Sequence, residues 1–255
     1  QTYEHFKDVV DCEEFLNGIQ KASAQLHAQV DGVERTMYQE EFTLPLSRNL
    51  FGLLTIPVYV NHMKYRFIID TGAQISGVKE QVVKTLGLRK TNGKVTIGSI
   101  GGTQKEMPGV VMESFQFGAL EYRNRTMIEL ADSDFSMRFG NIDLLSFDGI
   151  LGWDILSQLD FELDDIKKEF KVLKNRLKVP NPNMLKGSFP CFIVKLPNGN
   201  SALYGFDSGS KMSWIGEDAI QLHNYRSSKE VNSVGFGVHG MEKLQLKVIE
   251  HCTLL

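Results

Sequence analysis

Cysteine is scarce in this chain: three in 255 residues, Cys12, Cys191 and Cys252, far apart. An odd, sparse set makes no disulfide framework, although one bridge could form, and no Cys-x-x-Cys pair occurs. The six histidines fall in no His-Glu-x-x-His or similar ligand spacing, so no metal and no cofactor is expected. There is no run of about 18 apolar residues, which argues against a membrane-spanning helix. Nor is there a basic excess. Lys and Arg number 28 against 31 Asp and Glu, a net charge of −3, so neither nucleic acid nor an anionic membrane is an expected partner. The opening residues lack a charged stretch followed by an apolar one, so no signal peptide is read there, although a cleaved one would leave no trace. A secreted or periplasmic setting is expected over a cytoplasmic one. Asn124-Arg125-Thr126 fits a glycosylation acceptor, which matters only in a eukaryotic secretory protein.

What is present is an ordinary globular composition, 42% hydrophobic and 23% charged, with 16 Phe and 23 Gly. That balance leans towards a β-rich fold with many turns. The length suits one large domain or two of ordinary size.

Residues 4–30 read as a helix, from apolar positions near helical spacing at Phe6, Val9, Val10, Phe15, Leu16, Ile19, Leu26 and Val30. Asp31-Gly32 stops it. From Gln39 the period changes to two. Leu54, Ile56, Val58 and Val60 alternate, Asn61-His62 turns, and Tyr65 to Ile69 returns, so 53–69 reads as a hairpin running into Asp70. A short helix at 79–86 ends at Gly87. Val95 to Gly102 is a strand with a glycine-rich tip, and strands follow near 109–117 and 121–130. Phe147-Asp148-Gly149-Ile150-Leu151-Gly152 comes next, then strands near 159–163 and 169–173 about a turn at Asp164-Asp165. Residues 174–187, with Pro180, Pro182 and several Asn and Lys, read as a linker. The expected division is a helical segment at 1–38, a first lobe at 39–173, the linker, and a second lobe at 188–255.

The second lobe repeats the first. At an offset of 137, Asp70-Thr71-Gly72 falls on Asp207-Ser208-Gly209, Ile75 on Met212, Ser76 on Ser213, Glu80 on Glu217, Gly98 on Gly235 and Val111 on Val248. A fixed register over so long a span reads as an internal duplication. At that offset Leu255 answers to Gly118, so nothing in the second lobe answers to 119–173.

Two carboxylates at the ends of apolar strands suit the hydrolysis of an amide. Held about 3 Å apart they cannot both ionise, so they share one proton. The ionised member takes a proton from water; the protonated member stabilises the oxyanion. Gly72 and Gly209 permit tight turns and close backbone approach. Thr71 and Ser208 supply hydroxyls able to tie the two loops together, and Ser210 adds a hydroxyl near its own carboxylate. Gly98, Ser99, Ile100, Gly101 and Gly102 suit a mobile flap that excludes water. Ile150, Leu151 and Gly152 would brace the Asp70 loop from beneath.

Hydrophobic-hydrophobic-Asp-Thr-Gly-Ala, then Ile-Gly-x-Ile-Gly-Gly, then Asp-Gly-Ile-Leu-Gly-x-Asp, resembles a retropepsin-like aspartic protease unit over residues 50–173. The whole chain is similar to the two-lobed pepsin arrangement, with a second lobe that is only half a unit. The resemblance implies an all-β, acid-protease-like fold: two pseudo-symmetric β-barrel-like lobes with a cleft between them, plus the N-terminal helix. It implies Asp70 and Asp207 as the catalytic pair, flaps at 98–102 and at Gly235, Phe236 and Gly237, and a peptide or protein substrate. The flaps lack the Tyr usual in pepsin-like enzymes. The second lobe lacks an Ile-Leu-Gly brace, so either it is truncated or clipped, or a second chain completes it. Three readings stay open: an endopeptidase with both Asp in one chain, a homodimer pairing Asp70 with its copy, and a peptide-binding or assembly protein without turnover. Trp214, Phe115 and Phe117 are expected in the core.

Overall fold

The structure is a computed structural model that describes residues 32–98, 104–174, 183–187, 189–195, 201–213, 215–222, 226–237 and 240–249. The helix expected at 4–30, the flap residues Ser99 to Gly102, and Trp214 lie outside the described residues. What is described is a β protein with three short helices, Glu80–Leu86, Trp153–Leu156 and Glu217–Leu222.

The first half is a nine-stranded sheet built from β1 (Glu34–Met37), β3 (Ser47–Arg48), β4 (Leu54–Val60), β5 (Met63–Ile69), β6 (Gly77–Lys79), β7 (Lys90–Gly98), β8 (Gln104–Phe117), β9 (Leu120–Leu130) and β12 (Gly149–Leu151). Two of its pairings, β8 with β9 and β8 with β4, turn it back on itself in the order β9-β6-β12-β5-β4-β8-β9. A small hairpin joins β10 (Arg138–Phe139) to β11 (Ile142–Asp143). The strands β2 (Phe42–Pro45), β13 (Asp160–Asp164) and β14 (Glu169–Leu173) form a separate three-stranded sheet. Residues 34–37, assigned from sequence to the N-terminal helical segment, are instead the strand β1 against β9.

The β4–β5 hairpin shows how sequence makes the local shape. Asn61 and His62 take φ of 49° and 64°, the left-handed pair that a two-residue hairpin turn requires. That turn sets Val60 opposite Met63 and Ile56 opposite Phe67. All of β4 except Tyr59 is buried, so both of its faces are covered. Its side chains pack with Phe67, Ile69, Val110, Met112, Phe115, Phe117, Tyr122 and Leu151 in the main core. Phe115, Phe117 and Tyr122 stack at centroid separations of 5.3 to 6.5 Å. Each such side chain removed from water contributes roughly 1.5–3 kcal/mol, which fixes where β5 ends and hence where Asp70 stands.

The second half holds a three-stranded sheet, β15 (Met184–Lys186), β16 (Pro190–Lys195) and β17 (Ser201–Gly205), and a long hairpin, β18 (Ser227–Gly237) with β19 (Gly240–Ile249). Here the duplication reaches further upstream than the sequence suggests. Ser47 pairs with Thr55 and Arg48 with Leu54; Met184 pairs with Phe192 and Leu185 with Cys191, each shifted by 137. The helix starting at Glu80 likewise answers to the one starting at Glu217. Residues 184–186 were expected in the linker. They are an edge strand, because β16 offers them backbone partners that composition cannot reveal.

Candidate active site

Two strands deliver two carboxyls to one place. β5 ends at Ile69 and β17 at Gly205, and each chain then turns tightly: the Ala73 N–H donates to the Asp70 carbonyl, and the Ser210 N–H to the Asp207 carbonyl. The side chains cap their own turns. Asp70 Oδ1 accepts the Gly72 and Ala73 N–H groups, both at 3.0 Å, and Asp207 Oδ1 accepts the Gly209 N–H at 2.8 Å.

The loops then cross-link. Thr71 Oγ1 donates to the Phe206 carbonyl at 2.7 Å and accepts the Ser208 N–H at 3.0 Å. Ser208 Oγ donates to the Ile69 carbonyl at 2.9 Å and accepts the Thr71 N–H at 3.0 Å. These four bonds are related pairwise by the offset of 137. The glycines obey the same symmetry. A Cβ on Gly72 would lie 2.5 Å from the carboxyl carbon of Asp207, and one on Gly209 would lie 2.5 Å from that of Asp70. Only a residue without a side chain lets each carboxyl approach the opposite loop so closely.

This crowding moves a proton equilibrium. The Asp70 carboxyl is pushed up to about 7 from an ordinary 3.8. Burial is the largest cause and the Asp207 charge the next, with a hydrogen bond between the two carboxyls adding to them. The N–H groups of Ala73 and Gly72 act in the opposite sense by stabilising the carboxylate.

The Asp70 loop is braced from behind. β12 runs parallel to β5, with Gly149, Ile150 and Leu151 opposite Phe67, Ile68 and Ile69, and antiparallel to β6 on its other side. The Leu151 carbonyl accepts the Asp70 N–H at 3.0 Å, and the Trp153 N–H donates to the Ala73 carbonyl at 2.7 Å. Gly152 is pressed against the loop: a Cβ there would lie 2.7 Å from the Ala73 oxygen. In the second half, Gly205 occupies the edge strand β17, and a Cβ on it would lie 2.5 Å from the Phe189 ring.

The remaining expected residues lie at hairpin strand ends and in the Asp207 turn. Gly98 closes β7 opposite Gln104, and Gly235, Phe236 and Gly237 close β18 opposite Glu242, Met241 and Gly240. Ser210, expected to bring a hydroxyl to its own carboxyl, donates that hydroxyl to the Met212 carbonyl at 2.7 Å, which tightens the following turn.

Residues 56–155 match the family model for aspartyl proteases. This aspartyl-protease-like stretch begins inside β4 and runs through the Asp70 loop, β12 and into the helix Trp153–Leu156. Among solved structures, a retropepsin-like aspartic protease from Rickettsia conorii is similar at 21% identity, over 55% of this chain and 92% of its own, with a TM-score of 0.34. A comparison with curated proteins finds no match.

Sequence reasoning missed a buried polar network inside the same stretch. Ser76 donates its N–H at 2.8 Å and its hydroxyl at 2.7 Å to Asp154 Oδ1, and Arg125 donates to Asp154 Oδ2 at 2.9 Å. Arg125 and Thr126, two members of the glycosylation-like triplet, are buried. The available signal was the final Asp of Asp-Gly-Ile-Leu-Gly-x-Asp, a polar residue in an otherwise apolar motif.

Proposed function

We propose that the chain is an aspartic endopeptidase in which Asp70 and Asp207 share one proton and activate a water against a peptide carbonyl. The observation that carries this is the reciprocal placement of Gly72 against the Asp207 carboxyl and Gly209 against the Asp70 carboxyl. Two carboxyls so held cannot both ionise near neutrality, and the rise at Asp70 is the expected consequence. In the reaction, the ionised carboxyl removes a proton from the attacking water while the protonated one hydrogen-bonds the carbonyl oxygen and steadies the developing oxyanion. The tetrahedral intermediate collapses as the amine leaves with a proton from the pair. The hydroxyls of Thr71 and Ser208 touch no substrate atom in this scheme; they keep the two carboxyls from drifting apart. The β7–β8 and β18–β19 hairpins, whose tips were expected as flaps, would cover the bound peptide.

A homodimer that pairs Asp70 with its copy is the alternative reading; the closeness of the Asp207 carboxyl to the Asp70 loop supports the one-chain pair over it. Cleavage of an unfolded protein substrate between about pH 3 and pH 8, with and without pepstatin, tests the proposal. Wild-type cleavage that is blocked by pepstatin and lost in both Asp70→Asn and Asp207→Asn is the expected result. Retention of activity in Asp207→Asn favours the homodimer. A folded wild-type chain that cleaves nothing across that range overturns the enzyme reading in favour of a binding protein.

A further inference from the structure

We infer that Ser76 and Asp154 form a positioning device for Asp70, with Arg125 holding the far side of Asp154. The inference rests on the protease reading above and assigns to its site residues that touch neither carboxyl. The path is continuous. Arg125 donates to Asp154 Oδ2 at 2.9 Å and to the Asp154 carbonyl at 3.2 Å. Asp154 Oδ1 accepts both the N–H and the hydroxyl of Ser76. Ser76 Oγ in turn accepts the Gly152 N–H at 2.9 Å. Gly152 adjoins Leu151, whose carbonyl receives the Asp70 N–H, and Trp153, whose N–H holds the Ala73 carbonyl. The loop from Asp70 to Ser76 is therefore pinned to residues 151–154 at its beginning, middle and end.

Two features argue for orientation over simple stability. First, Ser76 is fully buried and Arg125 nearly so. A buried ion pair is weak as a source of stability compared with apolar packing, and its better-attested use is to select one arrangement of the groups around it. Supporting hydrogen bonds of this kind fix the orientation of the functional group in front of them. Second, no matching device is seen around Asp207 among the described residues. Ser213, the residue that answers to Ser76 at the offset of 137, is exposed. The described support that Asp207 shares with this device is the Thr71–Ser208 cross-link, which ties the Asp207 loop to the Asp70 loop.

The test compares Ser76→Ala with Ser76→Thr, which keeps the hydroxyl. Steady-state cleavage is measured alongside a carbon-13 carboxyl titration of Asp70 followed by NMR. In Ser76→Ala, kcat should fall about tenfold to hundredfold while KM stays within about threefold. The raised Asp70 titration should move down towards the ordinary carboxylate range, and Ser76→Thr should restore both properties. If Ser76→Ala does not fold, Asp154→Asn, which turns an amide donor towards Arg125, is read in the same way. A folded Ser76→Ala chain with unchanged kcat and an unmoved Asp70 titration overturns the inference. A wild-type chain that cleaves nothing overturns the protease reading instead, and the titration alone then decides whether Ser76 positions Asp70.

Discussion

Thr71 and Ser208 grip one another: the main-chain N–H of each donates to the hydroxyl of the other, at 3.0 Å in both directions. The same hydroxyls donate onward to the carbonyls of Phe206 and Ile69, the residues that precede the two carboxyls. Each hydroxyl thus acts as acceptor and donor at once, and no further donor is needed to close the pattern.

Removing one hydroxyl should break the pattern without emptying the core. Thr71→Val keeps the shape of a fully buried side chain but leaves the Ser208 N–H and the Phe206 carbonyl without that partner. A loss of about 1–3 kcal/mol is expected for stranding such groups. Urea denaturation should show it, and cleavage should fall more steeply than stability because the two carboxyls separate.

A methyl group should do by bulk what that variant does by lost bonding. In Gly72→Ala the new carbon would meet the Asp207 carboxyl at 2.5 Å, and in Gly209→Ala the Asp70 carboxyl at the same distance. Gly72 is exposed and Gly209 half-buried, so circular dichroism should report a folded chain. Activity should be lost in both, and the Asp70 carboxyl should titrate nearer its ordinary range as Asp207 moves away.

Stability should depend on pH through the same pair. Because the folded state raises Asp70 to about 7 from 3.8, it holds a proton over that interval that the unfolded chain has released. The contribution is complete below the unfolded value and is lost as pH climbs through about 7. Urea midpoints should therefore fall between mildly acidic and mildly alkaline solution. Asp70→Asn, which has no proton to lose, should flatten that slope. A wild-type midpoint that rises across the interval would contradict the assignment.

Gly152→Ala should be costly for a different reason. Its Cβ would meet backbone atoms, the Ala73 oxygen at 2.7 Å and the Ile75 carbonyl carbon at 2.8 Å, and backbone cannot rotate out of the way. Overpacking of this kind costs typically about 1–3 kcal/mol. Thermal melting should show the loss, and part of the activity should go with it because the Leu151–Asp70 hydrogen bond is displaced.

Several features could be read in the sequence because they depend on neighbours along the chain. Alternating apolar residues announce β4, the Asn61-His62 turn announces the hairpin, and Gly87 announces the end of the helix Glu80–Leu86, where it takes φ of 62°. The strand Met184–Lys186 could not be read. It is short and carries no periodicity, and its existence depends on β16 lying beside it. β1 was hidden for the same reason, since only its pairing with β9 makes it a strand.

By itself, then, the sequence determined that two Asp-hydroxyl-Gly turns follow apolar strands at an offset of 137, and that a third motif carries Ile150-Leu151-Gly152. Periodicity and turn chemistry are local, so a one-dimensional reading reaches them. Only the tertiary structure decided that Thr71 meets Ser208, that β12 slots between β5 and β6, and that Ser76, Arg125 and Asp154 converge behind Asp70. Those contacts join residues 29 to 137 positions apart. They are selected by closure of the sheet, by exclusion of water from its core, and by the need of each buried polar group for a partner, conditions that exist only once the chain has folded.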